Sequence, residues 1–134
     1  MNKYLLLLLV FSVAFSQNKK VSSSENKIYS QSELDEKANY PEGTELLYAY
    51  INHYYKNPEE LGKNNITACF VVISFTIEKD GTSSNVKTIK SCGFGSDEEA
   101  IRVIRTIKRW KPGKIKNKTV RSSYLIPIHL RNLE

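Results

Sequence analysis

One segment constrains the fold more than any other. From Cys69 to Ile77 every second residue (Cys69, Val71, Ile73, Phe75, Ile77) is apolar, while the residues between them begin apolar at Phe70 and Val72 and turn polar at Ser74 and Thr76. This period of two marks a strand buried fully on one face and partly on the other, which belongs in the middle of a sheet. Asp80-Gly81 follows, a pair that tolerates the positive φ of a two-residue hairpin turn, and β-forming residues resume at Val86, Thr88 and Ile89. The chain is predicted to double back on itself there.

With Asp80 and Gly81 as the turn, Lys79 faces Thr82, and the same one-to-one register brings Cys69 opposite Cys92. Directly opposed residues lie about 4.5–5.5 Å apart at Cα, within the span of a disulfide. That register also aims Lys90 at the buried face beside Val71. A one-residue bulge near Lys87 would bury Ile89 instead and part the cysteines. Geometry thus leaves a Cys69–Cys92 bridge and two buried free thiols both open, and the compartment weighs toward the bridge.

The compartment is read from the amino terminus. Lys3, the apolar run from Tyr4 to Phe15 and the closing Ala14-Phe15-Ser16 have the layout of a secretory signal, with cleavage expected before Gln17. The run is too short for a membrane span, which needs about 20 apolar residues. Export makes an oxidising environment the expectation, and removes the nucleic-acid context that a net charge of +6 would otherwise raise. The 134 residues divide into a signal peptide (1–16), a flexible polar linker (17–39) rich in Ser, Asn, Lys, Gln and Glu, and one domain (40–134).

Within that domain, Leu46, Leu47, Tyr50, Ile51 and Tyr54 recur at helical spacing after the turn Tyr40-Pro41-Glu42-Gly43, and Pro58 closes the helix. Tyr48, His53 and Tyr55 fall off that stripe, as ordinary surface residues or as an exposed aromatic patch for a partner. Ser96-Asp97-Glu98-Glu99 has the pattern of a capping box and opens a second helix with Ala100, Ile101, Ile104 and Ile107 inward and the basic row Arg102, Arg105, Lys108 and Arg109 mostly outward. Trp110-Lys111-Pro112-Gly113 ends it. A last strand alternates through Val120, Ser122, Tyr124, Ile126, Ile128 and Leu130, and Pro127, with no amide hydrogen, demotes it to an edge. The predicted architecture is α+β, two helices packed on one face of a three-stranded antiparallel sheet in the order α-β-β-α-β.

Catalytic chemistry is not legible. His53 and His129 are far apart, neither stands at metal-ligand spacing, and the cysteines form no Cys-x-x-Cys pair. Gly93-Phe94-Gly95 is too short for a phosphate loop. The reading is of a binding module with no catalytic residues, cofactor, metal or small-molecule substrate.

Taken together, several pieces resemble the C-terminal domain of TonB proteins, in the form familiar from Bacteroidetes, over roughly Tyr40 to Leu130. They are Tyr40-Pro41-Glu42-Gly43, Lys56-Asn57-Pro58-Glu59-Glu60, Ile77-Glu78-Lys79-Asp80-Gly81 with Asn85-Val86-Lys87, Asp97-Glu98-Glu99-Ala100, Arg109-Trp110-Lys111-Pro112-Gly113 and Tyr124-Leu125-Ile126-Pro127-Ile128. The resemblance implies a periplasmic domain that grips the TonB box, an extended segment of an outer-membrane transporter. It also matches the edge-strand reading, because an open edge accepts a foreign strand through main-chain hydrogen bonds. The grip is therefore assigned to Arg121, Ser122, Ser123, Tyr124, Leu125 and Ile126, ending before Pro127.

This chain departs from force-transmitting members in having a cleavable-looking leader and a short arm without proline, and it carries Asn57 where other members have an aromatic before the proline. Two alternatives stay open. One is a minimal anchored energy transducer that keeps its leader, and the other a self-associating structural envelope protein, a homodimer through the same edge.

Overall fold

The computed structural model describes residues 25 to 131, so the expected signal peptide lies outside the described residues. In chain order the elements are β1 (Ile28–Tyr29), a 3-10 turn (Gln31–Glu33), α1 (Thr44–Tyr54), α2 (Glu59–Lys63), β2 (Ala68–Ile77), β3 (Ser83–Lys90), α3 (Ser96–Thr106), β4 (Gly113–Ile115) and β5 (Lys118–Arg131). The apolar segment that dominates the sequence is β2, flanked by β3 and β5, both antiparallel to it. Val71, Ile73, Phe75 and Ile77 are almost wholly buried, whereas Phe70 on the opposite face is 45% exposed. One face of the sheet therefore carries the core. Leu47 and Ile51 of α1, Leu61 of α2 and Ala100, Val103 and Ile104 of α3 complete it, with Trp110 packed between the rings of Phe75 and Tyr124.

The α+β class is as expected, but the described residues hold three α-helices in place of two, and the sheet is larger than three antiparallel strands. It is mixed and five-stranded, in the order β1-β5-β2-β3 with β4 also on β5. β5 has 14 residues and overhangs the end of β2, whose Ile77 pairs with Ser122. β4 folds back antiparallel on Lys118–Val120, and β1 pairs parallel with Arg121 and Ser122. A two-residue strand inside a polar stretch has no periodicity to reveal it.

The same arm overturns part of the linker expectation. Leu34 and Ala38 are buried, the N–H groups of Asp35 and Glu36 donate to the Lys114 carbonyl, and Asn39 exchanges main-chain bonds with Lys111. In its described part the arm is a component of the domain.

The β2–β3 hairpin is built differently from the two-residue turn expected. Glu78 N–H donates to Thr82 O at 2.8 Å and Gly81 N–H to Glu78 O at 3.0 Å, so the loop is Lys79-Asp80-Gly81. Asp80 accepts both the amide and the hydroxyl of Thr82. The longer loop shifts the register one way. Two irregularities then shift it back, one at Ser74/Thr76 opposite Asn85, whose φ is +50°, and one at Val72/Ile73 opposite Ile89. Lys90 consequently pairs with Val72 on the open face instead of facing Val71, and Ile89 is 61% exposed instead of buried. The offsets nearly cancel. Cys69 and Cys92 are bridged with their Cα atoms 6.1 Å apart.

The helices show three further differences. The capping box at Ser96 and Glu99 is not made, because Gly95, at φ +81°, takes the N-cap position and Ser96 becomes the first helical residue. Ser96 Oγ instead accepts the Cys92 N–H at 3.1 Å, and Glu99 accepts the Lys56 N–H at 2.9 Å. On α1, Leu46 (55%) and Tyr54 (48%) are exposed, so its buried stripe narrows to Leu47 and Ile51. On α3, Val103 is buried although it was not on the expected inward face.

Gly81 joins the hairpin to the far end of α3. Its carbonyl accepts the Trp110 N–H at 2.9 Å, its φ is +83°, and a Cβ there would lie 2.6 Å from the Trp110 carbonyl oxygen. Gly81→Ala is expected to cost about 3 kcal/mol or more in denaturant unfolding, the sum of left-handed strain and a main-chain clash. Gly93→Ala, also at positive φ (+73°) but in open space, isolates the strain and is expected to cost roughly 1–2 kcal/mol.

A second expectation concerns the arm. The Glu33 carboxylate accepts the Ser30 N–H (2.8 Å), the Lys27 ammonium (3.0 Å) and the Ser30 hydroxyl (3.0 Å), which lower its pKa from 4.5 to about 2. A depressed carboxyl pKa contributes stability that is complete above the ordinary value and lost as pH falls toward the depressed one. The turn at Ser30–Glu33 is thus expected to hold above pH 4.5 and to loosen toward pH 2. The Ser30 amide resonance, followed against pH, should report this, and Glu33→Gln should abolish the transition.

Candidate functional site

The outer edge of β5 is where the sheet stays open. Two bonds define which main-chain groups face outward: Ser123 O accepts from the Gln31 amide at 2.8 Å, and Pro127 O accepts from the Tyr48 hydroxyl at 2.9 Å. Strand alternation aligns the peptide groups of Leu125 and His129 with these two, while Ile126, Ile128 and Leu130 send their side chains into the core. Pro127 has no N–H, and it sits where that donor would have pointed outward, so the β2 ladder loses nothing. Beyond Ser122, no strand among the described residues pairs with this edge.

Beside the open stretch lies a groove of about 580 Å³. Tyr48, Asn52, Tyr55 and Asn57, from α1 and the turn after it, form one wall, and Phe70 with Pro127, Ile128, His129, Leu130 and Arg131 form the other. The tyrosines are held rigidly. Tyr55 OH donates to Ser96 O at 2.8 Å, and burial pushes the pKa of both phenols upward, with Glu99 and Asp97 adding to the shift at Tyr55. They remain neutral donors at physiological pH. Across the groove the His129 ring stacks on Phe70, with centroids 4.3 Å apart, and its Nδ1 accepts the Arg131 Nε–H at 2.8 Å. No carboxylate is among the lining residues that the structure describes, so there the groove is aromatic with a guanidinium at one end. Such a surface can hold an extended chain, with peptide groups on one side and flat rings to receive alternate side chains.

The six residues assigned from sequence fall into three environments. Arg121 makes a forked ion pair with Glu78 (Nε to Oε2 2.9 Å, Nη2 to Oε1 2.9 Å) and donates from Nη1 to Asn26 O at 2.9 Å. This guanidinium, helped by the Ser84 hydroxyl, holds the Glu78 carboxyl below its ordinary pKa. Ser122 is buried under β1, and the Ser123 hydroxyl donates to Tyr29 O at 3.4 Å. Arg121, Ser122 and Ser123 are therefore already partnered by the arm, which corrects the expectation of an edge free along its whole length. Tyr124 and Ile126 direct their side chains inward, against Trp110 and Phe75 and into the core respectively. Leu125 alone is both outward-facing and exposed, at 55%.

Sequence reasoning offered Tyr48 and Tyr55 as one of two readings, an aromatic patch for a partner, without placing them beside the last strand, and it missed the carboxyl-terminal half of that strand. Tyr48 and Tyr55 stand seven residues apart, two helical turns, which is the signal that could have put them on one face. His129 and Arg131 had no such signal. Elsewhere, no group of three His, Cys, Asp or Glu among the described residues could hold a metal ion, and both cysteines are consumed by the bridge. No helix among the described residues is long and apolar enough to cross a membrane.

Comparison with known proteins returned one family, described as the Gram-negative bacterial TonB protein C-terminal, whose model matches residues 55–131. No curated protein and no solved structure matches the chain. The matched region begins at Tyr55 and takes in α2, all of β2 to β5 and the open edge, leaving the arm and α1 outside it. Since it spans more than half of the chain, the protein belongs to the family of TonB C-terminal domains.

Proposed function

We propose that this domain acts in TonB-dependent transport in the periplasm by binding the TonB-box segment of an outer-membrane transporter as an added strand on β5. The family supports a transport-related module in place of an enzyme. The single observation that carries the strand-addition reading is the unpaired outer edge of β5 from Leu125 to Arg131, lying beside the aromatic groove. Of the residues first assigned, Leu125 and Ile126 open this acceptor stretch, and His129 and Arg131 extend it. Arg121, Ser122 and Ser123 enter only where the arm does not already hold them.

The chemistry divides between affinity and choice. Main-chain groups at Leu125 and His129 offer donors and acceptors to any extended segment, and the missing donor at Pro127 leaves one position unreadable. Preference would come from side chains reaching Tyr48, Tyr55 and the Phe70–His129 stack, and from an acidic group near Arg131, which no carboxylate among the described groove residues neutralises.

The test is a titration of the whole chain with a synthetic ten-residue TonB-box peptide. Binding in the micromolar range, about 7–8 kcal/mol, is expected, with amide protection appearing at Leu125 and His129. Leu125→Pro removes an outward donor without touching the β2 ladder and is expected to weaken binding by about 3- to 10-fold, the worth of one hydrogen bond. Equal affinity for Leu125→Pro would remove the site assignment. Concentration-dependent dimerisation that Leu125→Pro abolishes, with no peptide binding, would favour pairing between two copies instead.

A further inference from the structure

The arm that covers Arg121–Ser123 is held in an uneven way. Upstream of Glu33 its attachment is slight. The ladder is two residues long, Ile28 is 40% exposed and Tyr29 packs only partly buried against the core, and the polar ties are the Arg121 bond to Asn26 O, the Gln31 side-chain amide on Ser123 O and, at 3.5 Å, on Ser122 Oγ, and the Ser123 hydroxyl on Tyr29 O. Downstream the attachment is firm. Leu34 is wedged against Gly113, where a Cβ would come 2.5 Å from Leu34 Cδ1, and Ala38 is 2% exposed. Main-chain bonds to Lys114 and Lys111 secure Asp35, Glu36 and Asn39.

We infer that residues 26–31 are a resident strand that competes with the partner for the edge of β5, so that the docked arm limits the partner to Leu125–Arg131 and its release opens Arg121–Ser123. This rests on the strand-addition reading above. The exclusion is steric: neighbouring strands lie about 4.8 Å apart, and that lane beside Arg121 and Ser122 holds one chain at a time.

Release is local and leaves no charge orphaned. Arg121 keeps its fork on Glu78 when Asn26 departs, the Ser123 groups and Gln31 Nε2 pass to water, and Gln31 Oε1 has its own partner in the Ala38 N–H on the firmly held side. The hinge is the 3-10 turn, where the chain swings from the edge at Ser30 to the core at Leu34 within four residues. Because the arm runs parallel to β5 and leaves it at Ser123, a docked arm also fixes where an added strand must stop. It thereby sets the partner's register as well as its length.

The test compares the unmodified chain with Tyr29→Pro and, separately, Gln31→Ala, each titrated with the same ten-residue TonB-box peptide and followed by amide hydrogen exchange. Both variants are expected to bind at least about threefold tighter, with protection extending from Leu125 back to Ser123, and protection at Ile126 and Ile128 certifies the sheet. In the unmodified chain protection should begin at Leu125. Equal affinity and an unchanged footprint in both variants would overturn the competition while leaving strand addition in place. Absence of binding in all three proteins would overturn strand addition and the competition with it.

Discussion

The structure depends on a strand that is hydrogen-bonded on both sides but covered along its length on one face and only in part, at Thr76, on the other. β2 has β3 and β5 as neighbours, and only Val71, Ile73, Phe75 and Ile77 meet a packed core. Because the apolar face of a sheet must be buried against another layer, the core-forming side chains of α1 and α3 lie on that side. Phe70 and Leu125 are left on the open side, and the one remaining freedom is what happens along the outer edge of β5.

That edge is managed in two ways. Over its first half it is paired, by β4 at Lys118–Val120 and by β1 at Arg121–Ser122, which satisfies main-chain groups that would otherwise be a template for indiscriminate pairing. Over its second half it is open but blunted. Pro127 withholds a donor, its carbonyl is taken by Tyr48, and Arg131 places a charge at the end. An edge with these interruptions discourages a second identical strand while still offering Leu125 and His129 to a segment of matching chemistry.

The hairpin shows how local irregularities can cooperate. A three-residue loop alone would misalign the cysteines, and so would the bulges at Asn85 and Ile89, but in opposite senses. Together they let Cys69 and Cys92 meet and turn Lys90 to the open face, where its ammonium lies 6.0 Å from the Phe70 ring. The bridge closes the end of the sheet next to the groove, since Phe70 is both the neighbour of Cys69 and part of the groove wall. Ser96 adds to the same corner by accepting the Cys92 amide, which is why a serine that looks like a helix cap is spent elsewhere.

Much of this was legible from residue order alone, where short-range physics decides. The alternation of Cys69–Ile77, the turn chemistry at Asp80-Gly81, the amphipathic spacing of Ala100 and Ile104 and the missing donor of Pro127 each act within a few residues, and each led to the right kind of element. The cysteine pair was reachable because hairpin pairing is itself local. What periodicity could not carry was any decision made between distant segments. Ile28 and Tyr29 form a strand only because the arm comes to rest along the outer side of β5 at Arg121 and Ser122, and Tyr48 and Tyr55 become a groove wall only because α1 stands beside that edge. The sequence by itself determined which strand is central and which face is buried, through side-chain spacing. Only the tertiary structure decided how much of the last strand stays open, because that depends on where β4 and an otherwise featureless arm come to rest.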